Sequence, residues 1–308
     1  MARRWSLTIC VLALALSPSI GQMASLSPSI VEIASSRAEV AESAFTIFNT
    51  GAGEQVYFLD LLAFGPSGED GTPLFTPEET SQSEFLSWIV FPAREVLVPA
   101  VSKVEVPFRV VVPDDVAAGS YYGAITVSTS PTDVVVSNGA TIEAKTAILV
   151  FLTIEGETVE KLEILDFFLE RDDASHTFGL FSYRLQNQGN VHLTPSGDVR
   201  IRGMFGQTVR VLNANQAEGR VLPDSTRTFT VSYQSVGGNW IARAGDQLRH
   251  LAFGPMTAEL SLTYGTDGLI QTSWPLWAIP YELMNLLLLI AVVIGGAFVL
   301  AFLRKRKG

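Results

Sequence analysis

The sequence predicts an all-β protein: two tandem immunoglobulin-like β-sandwich domains followed by one C-terminal transmembrane helix. Three observations carry this expectation. Short segments alternate apolar and polar residues with a period of two, and clusters of Gly, Pro, Asn and Asp separate them, as half-buried strands and their turns require. The order of these segments repeats, with Asn187 standing 138 positions after Asn49. Near the C-terminus, Leu283 to Leu303 form a run of 21 residues without charge. A length of 308 residues suits two domains, and 47% apolar against 17% charged residues is too apolar for a disordered chain.

Residues 1–21 read as a secretory signal peptide: Arg3 and Arg4, then LTICVLALAL, then small Ser19 and Gly21 where cleavage requires them. The only Cys, Cys10, lies in the apolar run behind Ile9, where a lipoprotein signal has a small residue. Cleavage would leave no thiol, hence no disulfide and no Cys-based zinc site.

The first sandwich is expected over residues 22–155. Val104, Val106, Phe108, Val110 and Val112 share one phase against Glu105, Pro107 and Arg109, and Pro107 places that strand at an edge or bulge. Thr146 to Ile154 is apolar almost throughout, as in a strand covered on both faces. The second sandwich is expected over 156–272. It repeats the order of the first: a strand into Asn-x-Gly (Asn49 to Gly51, Asn187 to Gly189), a Pro before a strand (Pro99, Pro223), and a Gly-initiated strand (Gly119, Gly254). No stretch before residue 273 shows a long, well-capped helical period.

Residues 273–282 then read as a juxtamembrane segment in which Trp274, Trp277 and Tyr281 settle at the headgroup level, the other reading being the end of a core strand. The run 283–303 spans about 31 Å as a helix, close to a bilayer's hydrocarbon thickness. Arg304, Lys305, Arg306 and Lys307 follow in the tail 304–308, which places the C-terminus in the cytoplasm and the sandwiches outside a plasma membrane.

Apart from these flanks, 15 basic residues face 31 acidic ones, a net of −16 against −10 for the whole chain. Such a surface opposes nucleic acid, whose phosphates need clustered Lys and Arg.

The run WIVFPAREVLVPAVSKVEVPFRVVVPDDVAAGSYYGAI, Trp88 to Ile125, resembles the N-terminal domain of the WxL-interacting protein family, at Phe108, Val110, Val112, Pro113, Gly119 and Gly123. The resemblance covers about Leu26 to Ile154; beyond it, only the layout of signal, two sandwiches, span and basic tail is similar. It implies a bacterial surface protein whose first domain associates with peptidoglycan and whose second engages a partner or ligand, together with a WxL-type surface protein.

Catalytic patterns are absent from the sequence: no H-E-x-x-H, C-x-x-C, G-x-S-x-G, Ser-x-x-Lys or P-loop occurs. No cofactor is expected. Asp114-Asp115, Glu69-Asp70 and Asp172-Asp173 are either calcium candidates or solvated turns, Asp114 and Asp115 being the ones carried forward. Candidate binding residues are Trp88, a sugar-stacking platform or a core anchor, then Tyr121 and Tyr122, and Asn187, Asn190 and His192 in a polar-turn patch. The leading expectation is a non-enzymatic cell-surface protein binding wall polymer or a partner surface protein. The alternative is an assembly factor that docks a strand from a client, and an envelope enzyme comes third.

Overall fold

A computed structural model describes residues 24–76, 83–130, 145–170, 178–234, 239–250 and 252–307. The signal-peptide residues and Asp172-Asp173 lie outside these. The protein is mostly strand, arranged as two β-sandwiches and one long apolar helix.

The first sandwich contains β1 (Ser25–Ser27), β2 (Ile30–Ser35), β3 (Val40–Asn49), β4 (Gln55–Pro66), β5 (Pro73–Thr76), a short helix α1 (Ser83–Trp88), β6 (Ile89–Val90), β7 (Glu95–Val98), β8 (Ser102–Val111), β9 (Gly119–Ser128) and β10 (Thr146–Ile154). One sheet runs β1-β3-β8-β6 and the other β2-β10-β9-β4-β5, with β7 also on β4. The N-terminal segment serves both sheets: β1 pairs antiparallel with β3, and after the cis Ser27–Pro28 bond β2 pairs in parallel with β10. The inward phase of β8, Val106, Phe108 and Val110, meets Ile148, Val150, Leu152 and Ile154 of β10 in one core. Pro107 lies where β8 has β3 on one side and no second strand on the other among the described residues, so its missing N–H costs no ladder bond.

The second sandwich contains β11 (Leu162–Glu170), β12 (Phe178–Asn187), β13 (Ser196–Arg202), β14 (Thr208–Asn213), β15 (Thr226–Gln234), helix α2 (Trp240–Arg249), β16 (Gly254–Tyr264) and β17 (Gly268–Ala278). Its sheets run β11-β12-β15 and β14-β13-β16-β17 around Phe181, Tyr183, Leu185, Val199, Leu260 and Leu262. Asn49 and Asn187 do the same work in the two sandwiches. Each is buried, each carboxamide oxygen accepts from the N–H two residues on, and each Nδ2 donates to carbonyls of a distant segment, Val98 and Pro99 in one case and Val221 in the other.

One boundary shifts and one helix is added. Residues 273–278 are not a separate connector: β17 stays in register with β16 as far as Gly254↔Ala278, and Pro275 is tolerated because β17 is an edge strand. The second sandwich therefore ends at Ala278, not at 272. The second sandwich also carries a short helix that the sequence pattern does not announce, α2, ten residues long, whose Asn239 side chain accepts from the Ala242 N–H. Its cap and its Trp240, Ala244, Leu248 spacing were present, but its shortness and Gly245 in mid-helix masked the period.

The last helix, α3 (Tyr281–Lys307), includes the uncharged run and is long and apolar enough to cross a membrane.

Candidate functional site

The apolar outer face of β10 explains how the sandwiches meet. Phe151 alternates with the inward Val150 and Leu152, yet all three are buried, because Phe151 is covered by the other sandwich. It packs with Phe64, Tyr122 and Leu222 in a small second core. The Phe64 ring meets it edge-on at 5.9 Å, His192 lies 4.8 Å away, and the Arg220 guanidinium sits 5.5 Å from its centre.

Polar contacts frame this apolar joint. Arg220 pairs with Glu32 of β2 at 2.6 Å. The Ser120 N–H donates to the Asn190 carbonyl at 2.9 Å, and the Asn190 amide donates to the Ala118 carbonyl at 3.1 Å. Such a close approach needs Gly119, at φ +140°, because a Cβ there would lie 2.8 Å from the Asn190 oxygen. The Ser120 hydroxyl accepts from the His192 N–H at 2.9 Å and lies 2.8 Å from His192 Nδ1. Burial pushes His192 below its usual pKa, against the opposing pull of Glu32, and so favours the neutral ring.

The β4–β5 turn forms the second contact. The Glu69 carbonyl accepts from the Thr228 N–H at 2.6 Å, capping the edge of β15, while its carboxylate receives Arg184 Nε at 2.7 Å and Nη2 at 2.6 Å. Those charge-assisted bonds hold the Glu69 carboxyl below its ordinary range. Asp70 instead accepts from the Thr72 N–H. The two carboxylates thus serve a latch and a turn, and the calcium reading of this pair fails.

Between the two contacts lies a cavity of about 190 Å³, walled by Phe64, Leu149, Phe151 and Leu222 and carrying Arg220 and Arg227. Gly71, at φ +79°, leaves the space that the Arg227 guanidinium occupies. Arg227 donates to the Arg220 carbonyl, while its buried Nε has no hydrogen-bond partner among the described residues. Desolvation lowers its pKa against the opposing pull of Asp70, and an anion entering the cavity would meet its positive charge.

A groove of about 570 Å³ opens beside this joint, between β14 and β15. Among the described residues both are edge strands, β14 pairing with no strand but β13 and β15 with no strand but β12, Glu69 capping one end of β15. Val211, Thr230 and Ser232 are exposed along it. Thr230 and Ser232 share the strand phase of Thr228, whose N–H points away from β12, so their backbone groups face the groove.

The structure brings Tyr122, Asn190 and His192 together at the joint. Asn187 is buried in its own turn, with a structural rather than ligand-facing role. Trp88 is 5% exposed and packs against Phe85 and Tyr121, so the sugar-stacking reading is lost because its ring belongs to the first core. Asp114 and Asp115 are exposed in the β8–β9 connection, and no group of three or more His, Cys, Asp or Glu is placed to hold a metal among the described residues. Trp274, Trp277 and Tyr281 are all exposed, and Arg304 to Lys307 close α3. Sequence reading did not single out Phe151, Arg184, Arg220 or Arg227. Phe151 alone had a usable signal, the unbroken apolar run around it.

No family model and no curated protein matches the chain. Among solved structures it is similar to the class 5 fimbriae chaperone CfaA, at 10% identity and a TM-score of 0.40 over 83% of this chain and 99% of that one. The YadV chaperone gives 10% identity and 0.39 over 83% and 100%, and the Pseudomonas aeruginosa CupB2 chaperone 10% and 0.35 over 82% and 100%. Likeness at this level does not bear on activity.

Proposed function

We propose that the chain is a non-enzymatic, membrane-anchored assembly factor of a bacterial cell envelope, whose sandwiches lie outside the membrane and hold an extended segment of a client polypeptide. The groove between the open edges of β14 and β15 carries this reading. An extended segment entering it pairs its backbone with edge groups that meet no further strand among the described residues, and its alternate side chains meet Val211 and Thr230. The neighbouring cavity with Arg220 and Arg227 suits a carboxylate on the same segment. The open stretch of β8 is a poorer template, because Pro107 and the outward Lys103 and Glu105 discourage pairing. The basic tail of α3 against Glu282 at its start supports the outside placement.

The wall-polymer reading, and with it the resemblance to the WxL-interacting family, predicts an exposed aromatic platform in the first sandwich. Trp88 and Tyr122 are buried, so the polypeptide reading stands ahead. The test places a photo-cross-linking residue at Val211, at Ser232 and, as control, at Leu97 in the full chain in its native membrane. Sequenced adducts at the two groove positions with alternating apolar segments of envelope proteins are expected. Adducts no more frequent than at Leu97, or retention of the full chain on insoluble peptidoglycan with an empty groove, would overturn the proposal in favour of the wall-polymer reading.

A further inference from the structure

The second sandwich ends in an apolar surface that its own cores do not use. Helix α2 sets Trp240, Ile241 and Leu248 on one arc, 37%, 50% and 56% exposed, with Ala244 between them buried against the protein, and Arg243, Asp246, Gln247 and Arg249 on the other arc. The polar arc fixes the helix in place. Arg243 donates to Glu282 at 3.2 Å, Gln247 donates to the other Glu282 oxygen at 2.5 Å, and the Leu283 N–H donates to Gln247 at 3.0 Å. Asp246 pairs with Arg210 of β14 at 2.7 Å. The β13–β14 turn joins the same end through Gln207, which donates to the His250 carbonyl at 3.3 Å, and it carries Met204 and Phe205, the latter 70% exposed. Trp277, 58% exposed, stands near the end of β17, just ahead of α3.

We propose that this end of the second sandwich is a lipid-docking platform, with α2 lying in the headgroup–acyl boundary of the outer leaflet and Phe205 and Trp277 inserted beside it. The inference rests on reading α3 as the membrane span. Its occupant follows from continuity: the uncharged run of α3 begins at Leu283, and α2 is hydrogen-bonded to Glu282 and Leu283. With the hydrocarbon boundary at the start of that run, α2 lies within a side chain's length of it. A short amphipathic helix at that depth buries its apolar arc in lipid and keeps its charged arc in the headgroups, and an aromatic near a span settles at the same level. The platform turns a flexible tether into a fixed mount, holding the β14–β15 groove at a set height and tilt.

Spin-label accessibility in the full chain tests this. Single Cys substitutions are made in a Cys10→Ser background at Ile241, Leu248, Ala242, Val292 and Leu97, all exposed positions, and reconstituted in phosphatidylcholine–phosphatidylglycerol bilayers. Labels at Ile241 and Leu248 should show an oxygen-to-nickel-chelate accessibility ratio several-fold above Leu97, whereas Ala242 on the polar arc should resemble Leu97. Val292, within α3, should be the deepest. A Val292 label in water overturns the span itself. A deep Val292 with Ile241 and Leu248 resembling Leu97 overturns the platform alone. Low accessibility of those two labels to both oxygen and nickel also overturns it, since that marks a protein partner in place of lipid.

Discussion

Replacing Phe151 with Ala separates the joint between the sandwiches from the cores within them. The ring is 3% exposed and touches Phe64, Tyr122, His192 and Arg220, three of which share its aromatic character. Truncating a buried Phe costs about 3–5 kcal/mol when the space stays empty. Here the lost volume adjoins the inter-sandwich cavity of about 190 Å³, which polar groups line and water can enter, so the lower end, about 3 kcal/mol, applies. At about 1.4 kcal/mol per decade, the joint should open about a hundredfold more often. Native-state hydrogen exchange on the full chain in bilayer nanodiscs reads this directly. The Ser120 and Thr228 amides, which bond across the joint to Asn190 and Glu69, should lose about two decades of protection. Amides of the β9–β10 ladder, held by the first core, should keep theirs. Equal acceleration of joint and ladder would make Phe151 an ordinary core residue of the first sandwich, and no acceleration at the joint would refute its role there.

Other perturbations test the remaining links. Gly119→Ala adds a Cβ 2.8 Å from the Asn190 carbonyl at φ +140° and should cost about 1–3 kcal/mol, seen as a lower urea midpoint; an unchanged midpoint would mean the two segments can separate freely. Asn187→Ala removes a buried carboxamide with three hydrogen bonds, on the order of 3 kcal/mol at about 1 kcal/mol each. Asn49→Ala should cost a similar amount in the first sandwich, and a large disparity would argue against the repeat. Because the pKa of folded His192 is depressed, the unfolded chain takes up that proton first as pH falls. The neutral ring's contribution is complete above about pH 6.5 and declines below it toward the depressed value. Urea midpoints at about pH 7.5 and about pH 5.5 should therefore differ less in His192→Asn than in the wild type, and equal acid sensitivity would exclude His192 as the source.

Most of the strand architecture is legible in the sequence. The β8 pattern, with Val106, Phe108 and Val110 inward and Pro107 at an open edge, follows from the two-residue period and from proline's missing donor. The Asn-x-Gly turns were legible as turns, but their buried carboxamides bridging to Val98 and Val221 were not, because those partners lie tens of residues away. Tyr122, Asn190 and His192 have the composition of binding residues and lie at the joint. Polar turn composition does not tell a surface that meets a ligand from one that meets another part of the same chain. Helix α2 escaped notice because ten residues with a central glycine give little periodic signal.

The sequence by itself determined the all-β class, the duplicated order of segments and a C-terminal helix apolar enough to cross a membrane. Each of these is written in local periodicity and hydropathy, which depend on neighbours along the chain. Only the tertiary structure decided that Phe151 faces a second sandwich, that Glu69 caps β15 while gripping Arg184, that β14 and β15 leave their edges open to one groove, and that α2 is bonded to the first turn of α3. These are pairings between residues far apart in sequence, Glu69 with Arg184 or Gln247 with Glu282, and no local pattern specifies which distant partner will satisfy a given charge or cover a given face.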